Sequence, residues 1–233
     1  MFRTLLMLLV FVTLGVPAAI IGIPYSLFVG NTHRMYRWAQ GIVRLGLKAA
    51  GVRVAVLGLE HVPTDRAVIY LSNHLSNLDP PINIANVPGE TAFLLKQSLM
   101  KIPLLGTAMR MGKFVPVART HAREDAKRST EAAAEAIHSG HHISIYPEGT
   151  RSRDGRLLPF KKGAFFLAAE TGAPLVPVIM RGTGELWPKG QTWLKPGLVE
   201  MEFLEPIAPA DYSTRDALMT EVRSRMEAAL AKR

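Results

Sequence analysis

The sequence predicts an α/β fold in which a mixed sheet is flanked by helices and preceded by an N-terminal, membrane-associated helical element. Two observations lead to this prediction: an uncharged apolar run opens the chain, and short β-rich runs alternate with helical stretches after it. We therefore divide the chain into a membrane-anchoring helical segment, residues 1–50, and an α/β domain, residues 51–233. The 233 residues suffice for one domain of ordinary size with a short appendage.

The N-terminal segment has no charged residue between Arg3 and Arg34, and it is almost entirely apolar. The apolar run exceeds the roughly 20 residues that cross the hydrocarbon core of a bilayer. Pro17 and Pro24 would each kink a helix, which leaves two forms open: one kinked span, or two short helices immersed from one side. A cleaved signal peptide is the competing interpretation. Because the run continues past the small residues where cleavage would occur, we favour a retained membrane anchor.

Positive charge is concentrated just after the apolar run. The formal net charge is +9, and the first acidic residue is Glu60. Six basic residues precede it: Arg3, Arg34, Arg37, Arg44, Lys48 and Arg53. Anionic head groups attract each such residue by about 1 kcal/mol near the membrane surface. The pattern predicts the cytoplasmic face of the inner (plasma) membrane, and the low aromatic content, 7%, argues against a nucleic-acid partner.

The segment that follows the apolar run is predicted to form an amphipathic helix. Met35, Trp38 and Ile42 recur at helical spacing, with basic residues around them. A helix with a tryptophan and cationic flanks suits the membrane interface. A helix that packs on the core with its charges in water would show the same pattern, so both interpretations stay open.

The α/β domain is predicted from its alternating strands and helices. The β-rich runs are residues 52–57, 67–71, 92–95, 114–117, 143–146, 175–179 and 199–204. Between them, an alanine-rich helix covers residues 124–137 and another helix covers residues 165–171 before Gly172. Ser213, with Asp216 three residues later, predicts the start of the C-terminal helix.

A first polar cluster follows the second predicted strand and ends at Asp79. It contains His74, and Asp79 precedes two prolines, a pattern typical of a helix start. If the loop turns back, Asp79 can fix the orientation of His74 and leave its other nitrogen free to act as a general base. On its own the pair is a weak motif, because composition alone would produce such a spacing in about one sequence in five.

No metal site is predicted. The chain has no cysteine, which excludes disulfides, thiolate ligands and a cysteine nucleophile. The other histidines lack carboxylate companions at ligand spacing. These are His33, His61, His121, His138, His141 and His142.

A second polar cluster, Tyr146 to Ser152, follows the fifth predicted strand. Five cations lie within a dozen residues from Arg151 onward, on a loop with glycines that precedes a helix. Guanidinium groups and backbone N–H groups in such a loop are suited to a phosphate. A solvated basic loop is the alternative. Glu148 favours the first interpretation, because an isolated acid among cations often positions an arginine.

Together these clusters resemble the glycerolipid acyltransferase family of 1-acyl-sn-glycerol-3-phosphate acyltransferases. The resemblance covers roughly residues 52–206 and includes four blocks in order. Asn73-His74 to Asp79 is similar to the NHxxxxD block, and Tyr146 to Ser152 is similar to FPEGTRS with Tyr in place of Phe. The second block includes Lys96, Pro103, Gly106 and Arg119, and the fourth is Leu175-Val176-Pro177-Val178-Ile179.

The resemblance implies transfer of a fatty acyl group from acyl-CoA or acyl carrier protein, with no other cofactor. The implied acceptor group is the sn-2 hydroxyl of 1-acyl-glycerol 3-phosphate, and the product is phosphatidic acid. In this interpretation His74 is the general base and Asp79 orients it. The implied acceptor-binding residues are Arg119, Glu148, Gly149 and Arg151, with Thr150 and Ser152 shaping their loop.

The second block departs from the family pattern at two positions. Ala118 stands where an acid commonly precedes the arginine, and Lys113 stands where a glycine is common. Alternatives therefore stay open: an acyltransferase for another acceptor, such as lyso-ornithine lipid, glycerol 3-phosphate or another lysophospholipid, or a non-catalytic lipid-binding membrane protein. A nucleotide-binding enzyme is disfavoured, because Gly182-Thr183-Gly184 lacks a third glycine at dinucleotide-binding spacing.

Overall fold

The computed structural model of the protein describes residues 1–117 and 123–232, which form one seven-stranded mixed sheet with helices on both faces. The strand order is β1-β7-β6-β2-β5-β3-β4. In chain order the strands are β1 (Val52–Leu57), β2 (Ile69–Ser72), β3 (Thr91–Lys96), β4 (Val115–Val117), β5 (His142–Ile145), β6 (Leu175–Arg181) and β7 (Gly197–Phe203). From β6 to β4 all neighbours are parallel, whereas β7 is antiparallel to β6 and parallel to β1. The predicted mixed sheet and its strands are confirmed.

Helices precede, separate and follow these strands. In chain order they are α1 (Phe2–Val29), α2 (His33–Ala49), α3 (Asp79–Asn86), α4 (Leu105–Met111), α5 (Arg123–His138), α6 (Gly163–Thr171), α7 (Thr183–Leu186) and α8 (Arg215–Ala231). The start predicted for the last helix at Ser213 is wrong by one residue. Thr214 is the N-cap: its backbone is extended, and its side chain accepts a hydrogen bond from the Ala217 N–H.

Alternation along the central strands divides the core into two layers. Ile69 and Leu71 point to one face of the sheet, where residues of α5, α6 and α8 cover them. Val68 and Tyr70 point to the other face, which α1, α2 and α3 cover. Because side chains alternate along a strand, a fully apolar strand buried on both faces gives this three-layer arrangement.

The N-terminal apolar run forms the single helix α1, so the alternative of two short helices is wrong. Pro17 and Pro24 both lie inside it. Helix α1 packs along α2, and the contact is close at Gly46, where a Cβ would lie 2.3 Å from the ring of Phe11. By length and composition α1 could cross a membrane. Most of its large apolar side chains are exposed, for example Phe28 at 91%, which suits association with a membrane.

Helix α2 packs on the α/β domain along one side. Its Gln40 side chain donates hydrogen bonds to the carbonyls of Ile84 and Val87, and Arg44 Nε donates to the carbonyl of Ala85. These bonds attach α2 to α3 and support the core-packing interpretation. Other apolar residues of α2 remain exposed beside α1, so the interfacial interpretation still applies to that side of the helix.

Candidate functional site

The two polar clusters predicted from the sequence meet at one edge of the sheet. Strands β2 and β5 are parallel neighbours, with Leu71 paired to Ile145. Their carboxyl ends therefore lie side by side, which is where open α/β sheets form their sites. The loop after β2 carries His74, and the loop after β5 carries residues 146–152. The Ser152 N–H donates to the His74 carbonyl at 2.8 Å, which joins the two loops directly.

His74 and Asp79 contact each other in this loop. His74 Nδ1 lies 2.8 Å from Asp79 Oδ2, with Asp79 fully buried at the first turn of α3. The same oxygen accepts the backbone N–H groups of Leu75 at 2.6 Å and Ser76 at 2.7 Å. Because a carboxylate only accepts hydrogen bonds, Nδ1 is the donor in this contact, and in the neutral ring the lone pair is then on Nε2. The arrangement fixes the orientation of the imidazole ring.

The face of the His74 ring is held by Tyr146. The two rings stack with centroids 4.0 Å apart and an interplanar angle of 18°. The Tyr146 hydroxyl accepts a hydrogen bond of 2.8 Å from Asn83 Nδ2, and burial raises the pKa of Tyr146. Asn83 lies four residues after Asp79 in α3. One helix therefore supplies both the carboxylate that contacts the His74 imidazole and the amide that contacts the Tyr146 hydroxyl. The sequence analysis did not identify Asn83. The available signal was the hydroxyl of Tyr146, because a buried tyrosine hydroxyl needs a hydrogen-bond partner.

Glu148 connects the loops through backbone groups. Its side chain is buried, Oε1 accepts the His74 N–H at 2.8 Å, and Oε2 accepts the Leu158 N–H at 2.8 Å. These partners differ from the arginine that the sequence pattern predicts. Burial raises the pKa of Glu148, and the two N–H bonds oppose that shift only in part. In this geometry Glu148 holds the backbone of the catalytic candidate His74 in place.

Replacing Glu148 with glutamine is expected to remove a component of the pH dependence of stability. Because the folded-state pKa of Glu148 is raised, the folded protein holds this proton more tightly than the unfolded chain does. That stabilisation is full below the pKa of the unfolded chain and is lost as pH rises through the raised pKa. Thermal unfolding in detergent from about pH 4 to pH 7 measures it. As pH rises, the Tm of the wild type should fall relative to the Tm of Glu148→Gln. The control, exposed Glu124→Gln, should give a curve of Tm against pH that runs parallel to that of the wild type. A parallel curve for Glu148→Gln would contradict the prediction.

The rest of the second loop carries further polar groups. Gly149 has a φ of 67°, a left-handed backbone conformation that favours glycine. Arg151 Nη1 donates to Asn77 Oδ1 of the first loop. Ser152 is buried and donates its hydroxyl to Asp154, while Thr150 is exposed.

The second predicted block is described only in part. Arg119 and Ala118 lie outside the described residues. Lys113 adopts the left-handed backbone conformation, with a φ of 60°, at the position where the family commonly has glycine. That conformation favours glycine, which gives the family preference a physical reason. Lys113 Nζ pairs with Glu135 at 3.0 Å.

Within residues 1–117 and 123–232, no group of three or more His, Cys, Asp or Glu side chains is placed to hold a metal ion. What this part of the chain offers for chemistry is an oriented imidazole beside a loop of cations. Such a pair of features can accept a proton from a hydroxyl group and bind an anion next to it.

Comparison with known proteins shows the family of the chain. A family model described as Acyltransferase matches residues 53–181. The chain is 38% identical over 173 residues to 1-acyl-sn-glycerol-3-phosphate acyltransferase BAT2, chloroplastic, of Brassica napus, which covers 73% of this chain and 49% of that protein. It is 30% identical over 179 residues to the human 1-acyl-sn-glycerol-3-phosphate acyltransferase alpha, covering 76% of this chain and 63% of that protein. The chain spans about half the length of the curated relatives it matches.

A solved structure is similar over nearly the whole chain. It is the crystal structure of the 1-acyl-sn-glycerophosphate (LPA) acyltransferase PlsC from Thermotoga maritima, with a TM-score of 0.81 and 28% sequence identity. The match covers 99% of this chain and 96% of that chain. The similarity therefore includes the N-terminal helices as well as the α/β domain.

Proposed function

This chain belongs to the acyltransferase family, and on that premise we propose that it transfers a fatty acyl group to the sn-2 hydroxyl of 1-acyl-glycerol 3-phosphate, giving phosphatidic acid. The acyl donor in this proposal is acyl-CoA or acyl carrier protein, and no other cofactor takes part. The observation that carries the proposal is the 2.8 Å contact of His74 with buried Asp79, beside the loop that bears Arg151.

The reaction follows from the free nitrogen of the imidazole. His74 Nε2 accepts the proton of the acceptor hydroxyl while the hydroxyl oxygen attacks the thioester carbonyl carbon. The new C–O bond forms, the C–S bond breaks, and the thiolate takes the proton back from the imidazolium. Asp79 keeps the ring in orientation throughout. Backbone N–H groups of the 146–152 loop are our candidates for stabilising the developing oxyanion.

Acceptor binding is assigned in this proposal to the second loop and to Arg119. Arg151 and Arg119 supply positive charge for the glycerol phosphate, and Gly149 lets the backbone approach it. Thr150 and Ser152 shape the loop. Glu148 serves the acceptor indirectly, because its carboxylate fixes the loop on which the binding groups lie.

Replacing Arg151 with alanine is expected to raise the KM for lysophosphatidate about tenfold with a smaller change in kcat, because a charge-assisted hydrogen bond to phosphate is lost. Initial rates in detergent micelles at varied acceptor concentration measure the change. Arg128→Ala, on the exposed face of α5, is the control. An unchanged acceptor KM in Arg151→Ala would remove this residue from the phosphate site.

An acceptor panel tests the proposed function against its alternatives. The purified protein is incubated with one acyl donor and, in turn, lysophosphatidate, glycerol 3-phosphate, lyso-ornithine lipid and other lysophospholipids, and free thiol and acylated product are quantified. We expect the fastest thiol release with lysophosphatidate. A faster reaction with another acceptor would reassign the substrate, and no acceptor-dependent thiol release would leave a lipid-binding protein.

We place this activity at the cytoplasmic face of the inner (plasma) membrane. Support comes from the exposed apolar surface of α1 and the basic residues that follow it. Lysophosphatidate and phosphatidate are both membrane lipids, so an enzyme held at the surface meets its acceptor there. Membrane lipids are accordingly partners of the protein in this proposal.

A further inference from the structure

A third loop reaches the candidate site, although no sequence motif marks it. It is the α7–β7 loop, residues 187–196. The carbonyl of Trp187 accepts the Ser76 hydroxyl at 2.6 Å and the Asn77 N–H at 3.4 Å, and Ser76 forms a β-bridge with Pro188. The α7–β7 loop is therefore attached to the loop that carries His74, only a few residues from the imidazole.

The α7–β7 loop brings a lysine to the second loop of the site. Lys189 Nζ donates a hydrogen bond of 3.3 Å to Thr150 Oγ1. Thr150 precedes Arg151, whose guanidinium reaches back to Asn77. Lys189 and Arg151 thus enter the same region from different loops. Lys189 contacts the loop that carries Arg151, and Arg151 contacts the loop that carries His74.

Neither of these two cations is neutralised by a carboxylate in the part of the chain that the structure describes. The partner of Lys189 is a hydroxyl group and the partner of Arg151 is a side-chain amide oxygen. By contrast, Lys162 on the neighbouring segment forms an ion pair with Asp216 at 2.9 Å. Two uncompensated cations beside a proposed general base form an electrostatic site for an anion.

The same loop is also connected to the apolar N-terminal helix. The Leu194 N–H donates to Thr4 Oγ1 of α1 at 2.9 Å in a buried contact. Trp193, next to Leu194, is 41% exposed, and tryptophan is enriched where proteins meet the membrane surface. Lys189 therefore lies on a segment that joins the membrane-associating helix to the site, where a phosphate group on a lipid would arrive.

We propose that Lys189 binds the phosphate monoester of the lipid acceptor, together with Arg151. This inference rests on the proposed function and extends it by one binding residue. A phosphate monoester carries between one and two negative charges at neutral pH, which two cations from separate loops match. Two cations on separate loops also favour acceptors with a terminal phosphate over acceptors in which the phosphate is esterified to a further head group.

The test compares Lys189→Ala with Lys195→Ala, an exposed lysine of the same loop with no assigned role in the site. Initial rates are measured in mixed micelles while lysophosphatidate and acyl donor are varied separately. In Lys189→Ala we expect the KM for lysophosphatidate to rise about tenfold, with kcat and the donor KM changed less than about twofold. Inorganic phosphate should inhibit the variant more weakly than the wild type. Lys195→Ala should match the wild type in every value.

Three results would overturn the inference, and they separate it from the proposed function. Identical kinetics in Lys189→Ala and Lys195→Ala, with phosphatidate still produced, would remove Lys189 from the site and leave the function standing. A rise in the donor KM alone would assign the lysine to a phosphate of the donor. Absence of phosphatidate production by the wild type would overturn the proposed function, and the role of Lys189 with it.

Discussion

Replacing His74 with alanine is expected to lower kcat by about 10³-fold or more, the largest loss among single substitutions in the site. The side chain holds the only assigned proton acceptor, with Nδ1 donating to Asp79 and Nε2 left for the substrate hydroxyl. Without it, the hydroxyl must attack the thioester while still protonated. Acyl transfer to lysophosphatidate in a fixed-time assay, with thiol release as a second readout, measures the loss.

Two comparisons make the His74 result specific. His138→Ala, at the exposed C-terminal end of α5, is the matched control and should retain the wild-type rate. Binding of lysophosphatidate to His74→Ala should be nearly unchanged, because the cations of the site remain. Wild-type turnover in His74→Ala would disprove the assignment of the base. Loss of both binding and thermal stability would indicate a structural role instead.

The fold was largely predictable because its strands are short, apolar and separated by clear helical stretches. Strands buried on both faces, such as β2 and β6, appear in the sequence as continuous apolar runs. Whether the N-terminal apolar run forms one helix or two was harder to predict. A proline can either kink a helix or break it, so the two prolines of the run left one helix and two helices equally open, and the structure shows one. The cap of α8 was misplaced because Ser213 and Thr214 are both good capping residues.

The candidate site was predictable where the chemistry is local in sequence. His74 and Asp79 are five residues apart, and a helix start at Asp79 brings the carboxylate back to the ring. The supporting contacts join distant residues. Asn83 and Tyr146 are 63 positions apart, and Thr150 and Lys189 are 39 apart. The backbone partners of Glu148 were equally inaccessible, because every residue except proline has an N–H group and no pattern marks which one binds.

Replacing Asp79 with asparagine is expected to lower kcat by about 10² to 10³-fold. Asp79 Oδ2 accepts three hydrogen bonds, from His74 Nδ1 and from the N–H groups of Leu75 and Ser76. These donors will keep the amide oxygen of the asparagine in the place of Oδ2, so the ring should retain its orientation. The negative charge that stabilises the imidazolium during the reaction is lost. The new NH₂ group would take the buried place of Oδ1, which has no hydrogen-bond partner in the described chain, and we expect a lower Tm as well.

The combination with His74→Ala separates a positioning role of Asp79 from a merely structural one. If Asp79 acts through the imidazole, adding Asp79→Asn to His74→Ala should lower kcat little further, because the group that it orients is already absent. Exposed Asp211→Asn is the control for the loss of one carboxylate and should leave both kcat and Tm unchanged. Losses that multiply in the double variant would contradict the dyad, because they would show that the two residues act independently on the reaction.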